Sequence, residues 1–95
     1  METIKVYQCE LNDYIDLEYI GKVKYIGDSF YGLTNECIYD VVKDSDGGIK
    51  VVDDSEEDYY YDFRNPLSLI CEDKKSTFEI IDDQYGVIQR MITTK

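Results

Sequence analysis

Apolar and polar residues alternate in short runs along most of the chain, and clusters of Gly, Asp and Ser interrupt them. A period of two predicts strands. In residues 3–9, TIKVYQC, Ile4 and Val6 fall on one face and Lys5 and Tyr7 on the other. Residues 22–28, KVKYIGD, set Val23 and Tyr25 against Lys22 and Lys24. Residues 37–43, CIYDVVK, predict a strand with Tyr39 and Val41 inward, and residues 49–54, IKVVDD, one with Ile49 and Val51 on a common face. In residues 58–64, DYYYDFR, the pattern puts Tyr59, Tyr61 and Phe63 on the core side and Tyr60 and Asp62 outside. Two last runs, STFEIID (76–82) and GVIQRMIT (86–93), flank DQYG and predict a C-terminal β-hairpin over 76–95, with Gly86 in its turn.

The punctuation is as informative as the runs. DSDGG (44–48) is a turn signal, because Asp side chains bond to nearby backbone and Gly accepts positive φ. Residues 29–36, SFYGLTNE, predict an extended loop around Gly32. Pro66 separates the tyrosine-rich run from LSLICE (67–72), which reads as a strand or a single tight turn. Residues 11–21 read two ways. Leu11, Ile15 and Tyr19 recur four apart, which favours a short helix or irregular turn ending near Gly21; the Tyr-Ile pairs favour extended chain.

Length and composition narrow the class. Ninety-five residues suit one domain with one modest core. Cys9, Cys37 and Cys71 are scattered, odd in number and without a CxxC, so a disulfide framework is not expected and a reducing compartment is. The opening METIKVYQCE lacks a secretory pattern and no run is long enough to span a membrane, so a cytoplasmic location without membrane contact is expected. The 14% aromatic content, including ten tyrosines, separates this chain from a disordered acidic tail.

Charge and residue inventory then exclude function classes. The formal net charge of -11 opposes direct binding to nucleic-acid phosphates or anionic lipid. With no histidine there is no imidazole base, no Ser-His-Asp triad and no His-Cys pair. Phosphate-loop and dinucleotide fingerprints are also missing, so neither catalysis nor a cofactor is expected. Neither DSDGG nor the acidic run fits a calcium-loop spacing, so no metal is assigned. Lys22, Lys24, Lys74 and Lys75 are the only hint of a basic patch for nucleic acid.

The acidic run Asp53-Asp54-Ser55-Glu56-Glu57-Asp58 has two readings. The plain one is a solvated hairpin turn whose charge also guards the strands against edge pairing. The sharper one is a binding surface. Residues 40–62 hold nine acidic residues against two lysines, enough to steer a basic protein surface. Its candidate residues are Asp53, Asp54, Glu56, Glu57, Asp58 and Tyr60, with Tyr31 a further contact; the acids orient and the tyrosines supply desolvated area. A nucleic-acid-binding protein is one partner of that chemistry, with the acidic face mimicking nucleic acid.

The run VKYIGDSFYGLTNECIYDVVKDSDGGIKVVDDSEEDYYYDF resembles small, uncharacterised SH3-like β-barrel proteins of Gram-positive bacteria and their phages. The matching features are Val23–Ile26, the GLT at Gly32–Thr34, Tyr39–Val41, the Gly47-Gly48 turn, Ile49–Asp54 and the acidic turn before Tyr59–Tyr61. Where a Gly-Lys pair is expected before the Tyr39 strand, this chain has Glu36-Cys37. The resemblance spans roughly residues 22–72. It implies a mainly β protein: a small SH3-like barrel core over 22–72, an extra N-terminal segment and the C-terminal hairpin, all within one domain. It implies no catalytic role, and it suggests a phage or prophage modulator of a host protein. Two alternatives stay open: a self-associating β protein that forms a homo-oligomer, and a nucleic-acid-binding module.

Overall fold

A computed structural model of the chain describes residues 2–29, 32–66 and 76–93. The protein is mainly β, with a curled antiparallel sheet that forms a half-barrel. Its strands are β1 (Thr3–Gln8), β2 (Asp13–Ile26), β3 (Ile38–Lys43), β4 (Ile49–Val52), β5 (Asp58–Tyr59) and β6 (Thr77–Asp83), followed by one helix, α1 (Val87–Thr93). The sheet order is β1-β2-β3-β4-β5, and β6 also pairs with β2. LSLICE, Tyr31, Lys74, Lys75 and Cys71 lie outside the described residues.

β2 organises the molecule. Its first half pairs with β1, from Thr3↔Glu18 to Gln8↔Asp13, and its second half pairs with β6, from Gly21↔Asp83 to Ile26↔Thr77. Against β3 the register runs Tyr19↔Val42 and then Gly21↔Val41, so Ile20 is an extra residue. One inserted residue exchanges the two faces of a strand. Before the bulge, Ile15, Leu17 and Tyr19 lie on one face; after it, Val23 and Tyr25 lie on the other. Two cores result. The larger holds Ile20, Val23, Tyr25, Leu33, Tyr39, Val41, Val51, Phe63, Phe78 and Ile88. The smaller holds Val6, Leu17 and Val42, with Ile4, Ile15 and Val52 against it. Val41 and Val42 are adjacent and both fully buried, one in each core.

Two expectations are corrected. Residues 13–21 are strand, where the four-residue spacing of Leu11, Ile15 and Tyr19 predicted a helix or irregular turn. Leu11 is exposed, and the operative pattern is the alternation of Ile15, Leu17 and Tyr19. Gly21 ends nothing: a Cβ there would lie 2.1 Å from the Asp82 carbonyl oxygen and 2.9 Å from Ile88 Cδ1, so glycine permits β6 and α1 to approach. The second correction is the C-terminal hairpin. β6 forms as expected, but it pairs with β2, and residues 87–93 turn into α1. Asp83 explains the helix. Its carboxylate accepts from the Ile88 amide (3.2 Å) and the Gln89 amide (2.9 Å), serving two N-terminal donors that a helix leaves open. Val87, Ile88, Met91 and Ile92 then face the larger core on one side of the helix.

The tyrosine-rich run is also less regular than predicted. Only Asp58 and Tyr59 pair with β4. Tyr59 is exposed rather than inward, whereas Phe63 is buried with its ring centroid 5.7 Å from that of Phe78.

Candidate functional site

The acidic run is the turn between β4 and β5, and most of its carboxylates work inside the protein. The Asp53 amide donates to the Glu57 carbonyl (3.2 Å) and the Glu56 amide to the Asp53 carbonyl (3.0 Å). That closure holds Glu56 at φ 70°, in the left-handed region. Asp53 is the single buried charged residue among those described, at 8% exposure. It accepts from the Tyr61 hydroxyl (2.8 Å), the Ser55 amide (2.9 Å) and the Ser55 hydroxyl. Asp54 accepts from the Tyr39 hydroxyl (2.9 Å) and Thr34 Oγ1 (2.8 Å), and its amide donates to the Gly32 carbonyl (2.8 Å). Gly32 has φ 92°, and a Cβ on it would lie 2.9 Å from Asp53 Oδ2, so only glycine lets this loop lie against the turn.

The far end of the turn reaches β1. The Tyr7 amide donates to the Glu56 carbonyl (3.2 Å), the Cys9 amide to Glu57 Oε1 (3.0 Å) and Gln8 Nε2 to Asp58 Oδ1 (2.8 Å). These bonds join the first strand to the β4–β5 turn and draw the curled sheet around the smaller core. Asp58 also pairs with Lys50 at 3.4 Å, and Lys50 pairs with Asp44 at 3.1 Å. Tyr60 is 62% exposed, with Lys50 Nζ 4.9 Å from its ring centroid and its hydroxyl over Gly48.

The structure therefore divides the sequence candidates. Asp53, Asp54, Glu57 and Asp58 tie the turn to four other segments. The Glu56 side chain is exposed and makes no hydrogen bond or ion pair among the described residues. Tyr60 projects on the Lys50 side, and Tyr31 lies outside the described residues.

Beside the turn opens a groove of about 400 Å³, lined by Lys5, Tyr14, Ile38, Tyr39, Asp40, Val52, Asp53, Asp54 and Glu56. Tyr14 and Ile38 expose about half their surface, at 50% and 54%. Ile38 and Asp40 share the face of β3 that buries Val42 further along, and Val52 also packs on the smaller core. Lys5 is paired with Asp16 (3.1 Å), and Asp40 with Lys22. Sequence reasoning singled out Asp53, Asp54 and Glu56 of this groove but missed Tyr14, Ile38 and Asp40. Ile38 alternates with Asp40 and Val42, which was a readable sign; Tyr14 stands opposite Tyr7 in the β1–β2 pairing, which its own sequence does not announce.

Neighbouring side chains register the negative potential of the turn. Hydrogen bonding of the thiol to the Glu57 carboxylate, with that group's charge, raises Cys9 above its ordinary value and leaves it a poor nucleophile. The charge of Glu57 raises the exposed Tyr59 phenol. Burial, then the hydrogen bond to Asp53, pushes the Tyr61 phenol well up. These groups stay protonated near neutrality, so they donate to carboxylates and do not serve as bases. Among the described residues, no group of three or more His, Cys, Asp or Glu is arranged to hold a metal ion. No described helix is long and apolar enough to cross a membrane.

No family model, curated protein or solved structure matches the chain.

Proposed function

We propose that the protein is a noncatalytic binding module that takes a Lys- or Arg-bearing segment of a protein partner in the groove beside the β4–β5 turn. One observation carries this reading: Tyr14 and Ile38 stand half-exposed in the same groove as Asp40, Asp54 and Glu56. The apolar walls suit an aliphatic side-chain stem, and the carboxylates suit the cation at its end. Asp54 stays committed to Tyr39 and Thr34 while adding its charge to the field, and Glu56 is the acid with freedom to meet a partner. The net charge of -11 would speed the encounter at low salt. The narrower idea, a phage or prophage modulator that mimics nucleic acid toward a host protein, rests on the sequence resemblance alone.

The test is capture of partners from source-cell lysate by wild type and by Glu56→Lys and Ile38→Asp, followed by titration of the captured segment observed by NMR. Loss of the partner in both variants, with resonance shifts at Tyr14, Ile38 and Glu56, is the expected result. Equal capture by all three proteins would sink the reading.

Self-association is the second reading. Ile81 on β6 and Tyr85 just after it are exposed, at 49% and 51%, and β6 pairs only with β2 among the described residues. Truncation after Glu72 does not test this, because it also removes Phe78 and Ile88 from the larger core. Ile81→Lys does: sedimentation that depends on concentration in wild type and not in this variant would favour assembly.

A further inference from the structure

The turn between β3 and β4 carries the chain's one Asp-Gly pair, Asp46-Gly47; every other aspartate is followed by a residue with a side chain, and no Asn-Gly pair occurs. Both residues are exposed. Gly47 holds φ 87°, and a Cβ built on it would meet only Lys43 Cε, at 3.9 Å, so the surroundings of this peptide bond are open. The Asp46 carboxylate has no hydrogen-bond or ion-pair partner among the described residues. The bonds of the turn belong to Asp44 instead. Its carboxylate accepts from the amides of Asp46 (3.0 Å) and Gly48 (2.8 Å), its carbonyl accepts from the Gly47 amide (3.0 Å), and its amide donates to the Gly48 carbonyl (2.9 Å).

We infer that the Asp46–Gly47 bond is a self-modification site, where the chain isomerises aspartate to isoaspartate at a rate that Asp44 governs by keeping the turn shut. The chemistry needs two groups that adjoin here. The Gly47 nitrogen, its proton withdrawn by solvent, attacks the Asp46 carboxyl in its acid form. A new N–C bond closes a five-membered imide, the C–OH bond breaks, and the hydroxyl leaves with that proton as water. Water then adds back to one of the two imide carbonyls. Opening at the side-chain carbonyl returns aspartate; opening at the main-chain carbonyl leaves the backbone running through the side chain, as isoaspartate. The water taken up equals the water lost, and nothing is oxidised or reduced. Glycine suits the attacking position because it carries no Cβ to crowd the approach. In the closed turn the Gly47 proton is held on the Asp44 carbonyl, so ring closure proceeds from the opened turn, a local event that leaves the rest of the fold in place. The product has one methylene more in its backbone, so the bonds to Asp44 cannot all re-form. Asp44 is also one of the two carboxylates that hold Lys50 (3.1 Å); the other, Asp58, lies in the acidic turn. This site does not depend on the groove beside the β4–β5 turn.

The experiment incubates the full-length chain at neutral pH and follows isoaspartate in two ways: labelling by an isoaspartyl carboxyl methyltransferase, and peptide mapping that locates the residue. Wild type is compared with Asp44→Ala, Asp44→Asn, Asp46→Glu and Tyr61→Phe. Isoaspartate is expected at position 46 ahead of every other aspartate. Asp44→Ala should accumulate it about fivefold faster, the factor by which a lost cap populates an open turn. Asp44→Asn keeps an acceptor oxygen and should stay near the wild-type rate. Asp46→Glu should abolish the signal at 46, because its longer side chain no longer closes a five-membered ring. Tyr61→Phe weakens the fold at the other turn and should leave the rate unchanged, which separates local opening from a general loss of stability. Isoaspartate appearing first at another aspartate, or none at 46 in wild type and Asp44→Ala, would overturn the inference. So would equal rates in wild type and Asp44→Ala, an Asp44→Asn rate as high as that of Asp44→Ala, or an equal acceleration by Tyr61→Phe.

Discussion

The two acidic turns look alike in sequence and behave differently. Both follow a valine-rich strand and both begin with Asp. In the turn at 44–48, Asp44 closes the loop on itself. Its carboxylate accepts from the Asp46 amide (3.0 Å) and the Gly48 amide (2.8 Å), and its backbone bonds to Gly48 and Gly47. In the turn at 53–58, the acids reach residues from β1, the Gly32–Thr34 loop, β3 and the segment after β5. The first is a local device that a short peptide could reproduce. The second is a junction whose value depends on the rest of the fold. Local charge density cannot separate them; the distance in sequence to each partner does.

Substitutions can press on this difference. The largest effect is expected for Asp53→Ala, which removes a buried acceptor and orphans the Tyr61 hydroxyl. A loss of about 3 kcal/mol follows from two or three bonds to a charged group, seen as a large drop in urea midpoint. Tyr61→Phe, which leaves Asp53 buried with one donor fewer, should cost about 1–2 kcal/mol. Asp54→Ala should cost about 1.5 kcal/mol, less than Asp53→Ala because Tyr39 keeps the Thr34 amide as a partner at 2.6 Å. If Asp44→Ala proves as damaging as Asp53→Ala, the distinction between local and junction turns fails; about 1 kcal/mol is expected for it, as for a lost cap.

The pH dependence sharpens the same contrast. The Gly48 amide, and then Lys50, hold the Asp44 carboxyl below its ordinary value of 3.8. A depressed carboxyl stabilises the fold when ionised. That contribution is complete above the unfolded value and is lost as pH falls through the lower folded one. The gap between wild type and Asp44→Ala in urea melts should therefore be full at neutral pH and shrink below about pH 4. The smallest change expected is a gain. Glu56→Gly relieves a left-handed non-glycine residue, raising stability by about 0.5–1 kcal/mol. By the proposed function it also weakens partner capture, so stability and binding should move in opposite directions at this one position.

Much of the fold was readable where side chains alternate and both faces keep their roles. Val23 with Tyr25, and Tyr39 with Val41, are buried as the period of two requires. The DSDGG turn was readable because its chemistry is local. What escaped depends on distant partners. The odd positions from Ile15 to Tyr25 are the more buried ones throughout β2, but the bulge at Ile20 turns those before it and those after it to different faces, and the spacing of four from Leu11 to Tyr19 competed with that alternation. For residues 87–93, apolar pairs at 87/88 and 91/92 suit a helix, yet β-branched content suggested strand until Asp83 is seen capping it. For the site, the acids were legible as a cluster, but their commitment to Tyr61, Tyr39, Thr34 and β1 was not.

The bulged strand also bears on how the protein melts. Residues near the N-terminus, Ile4 and Val6, rest on the half of β2 before Ile20, and Ile88 near the C-terminus rests on the half after it. The two cores share β2, β3 and β4. The two therefore form one cooperative unit, and a probe at Tyr7 and a probe at Phe78 should report the same midpoint and the same steepness. β1 and β6, strands that do not pair with each other, are thus coupled through the one strand that runs between them.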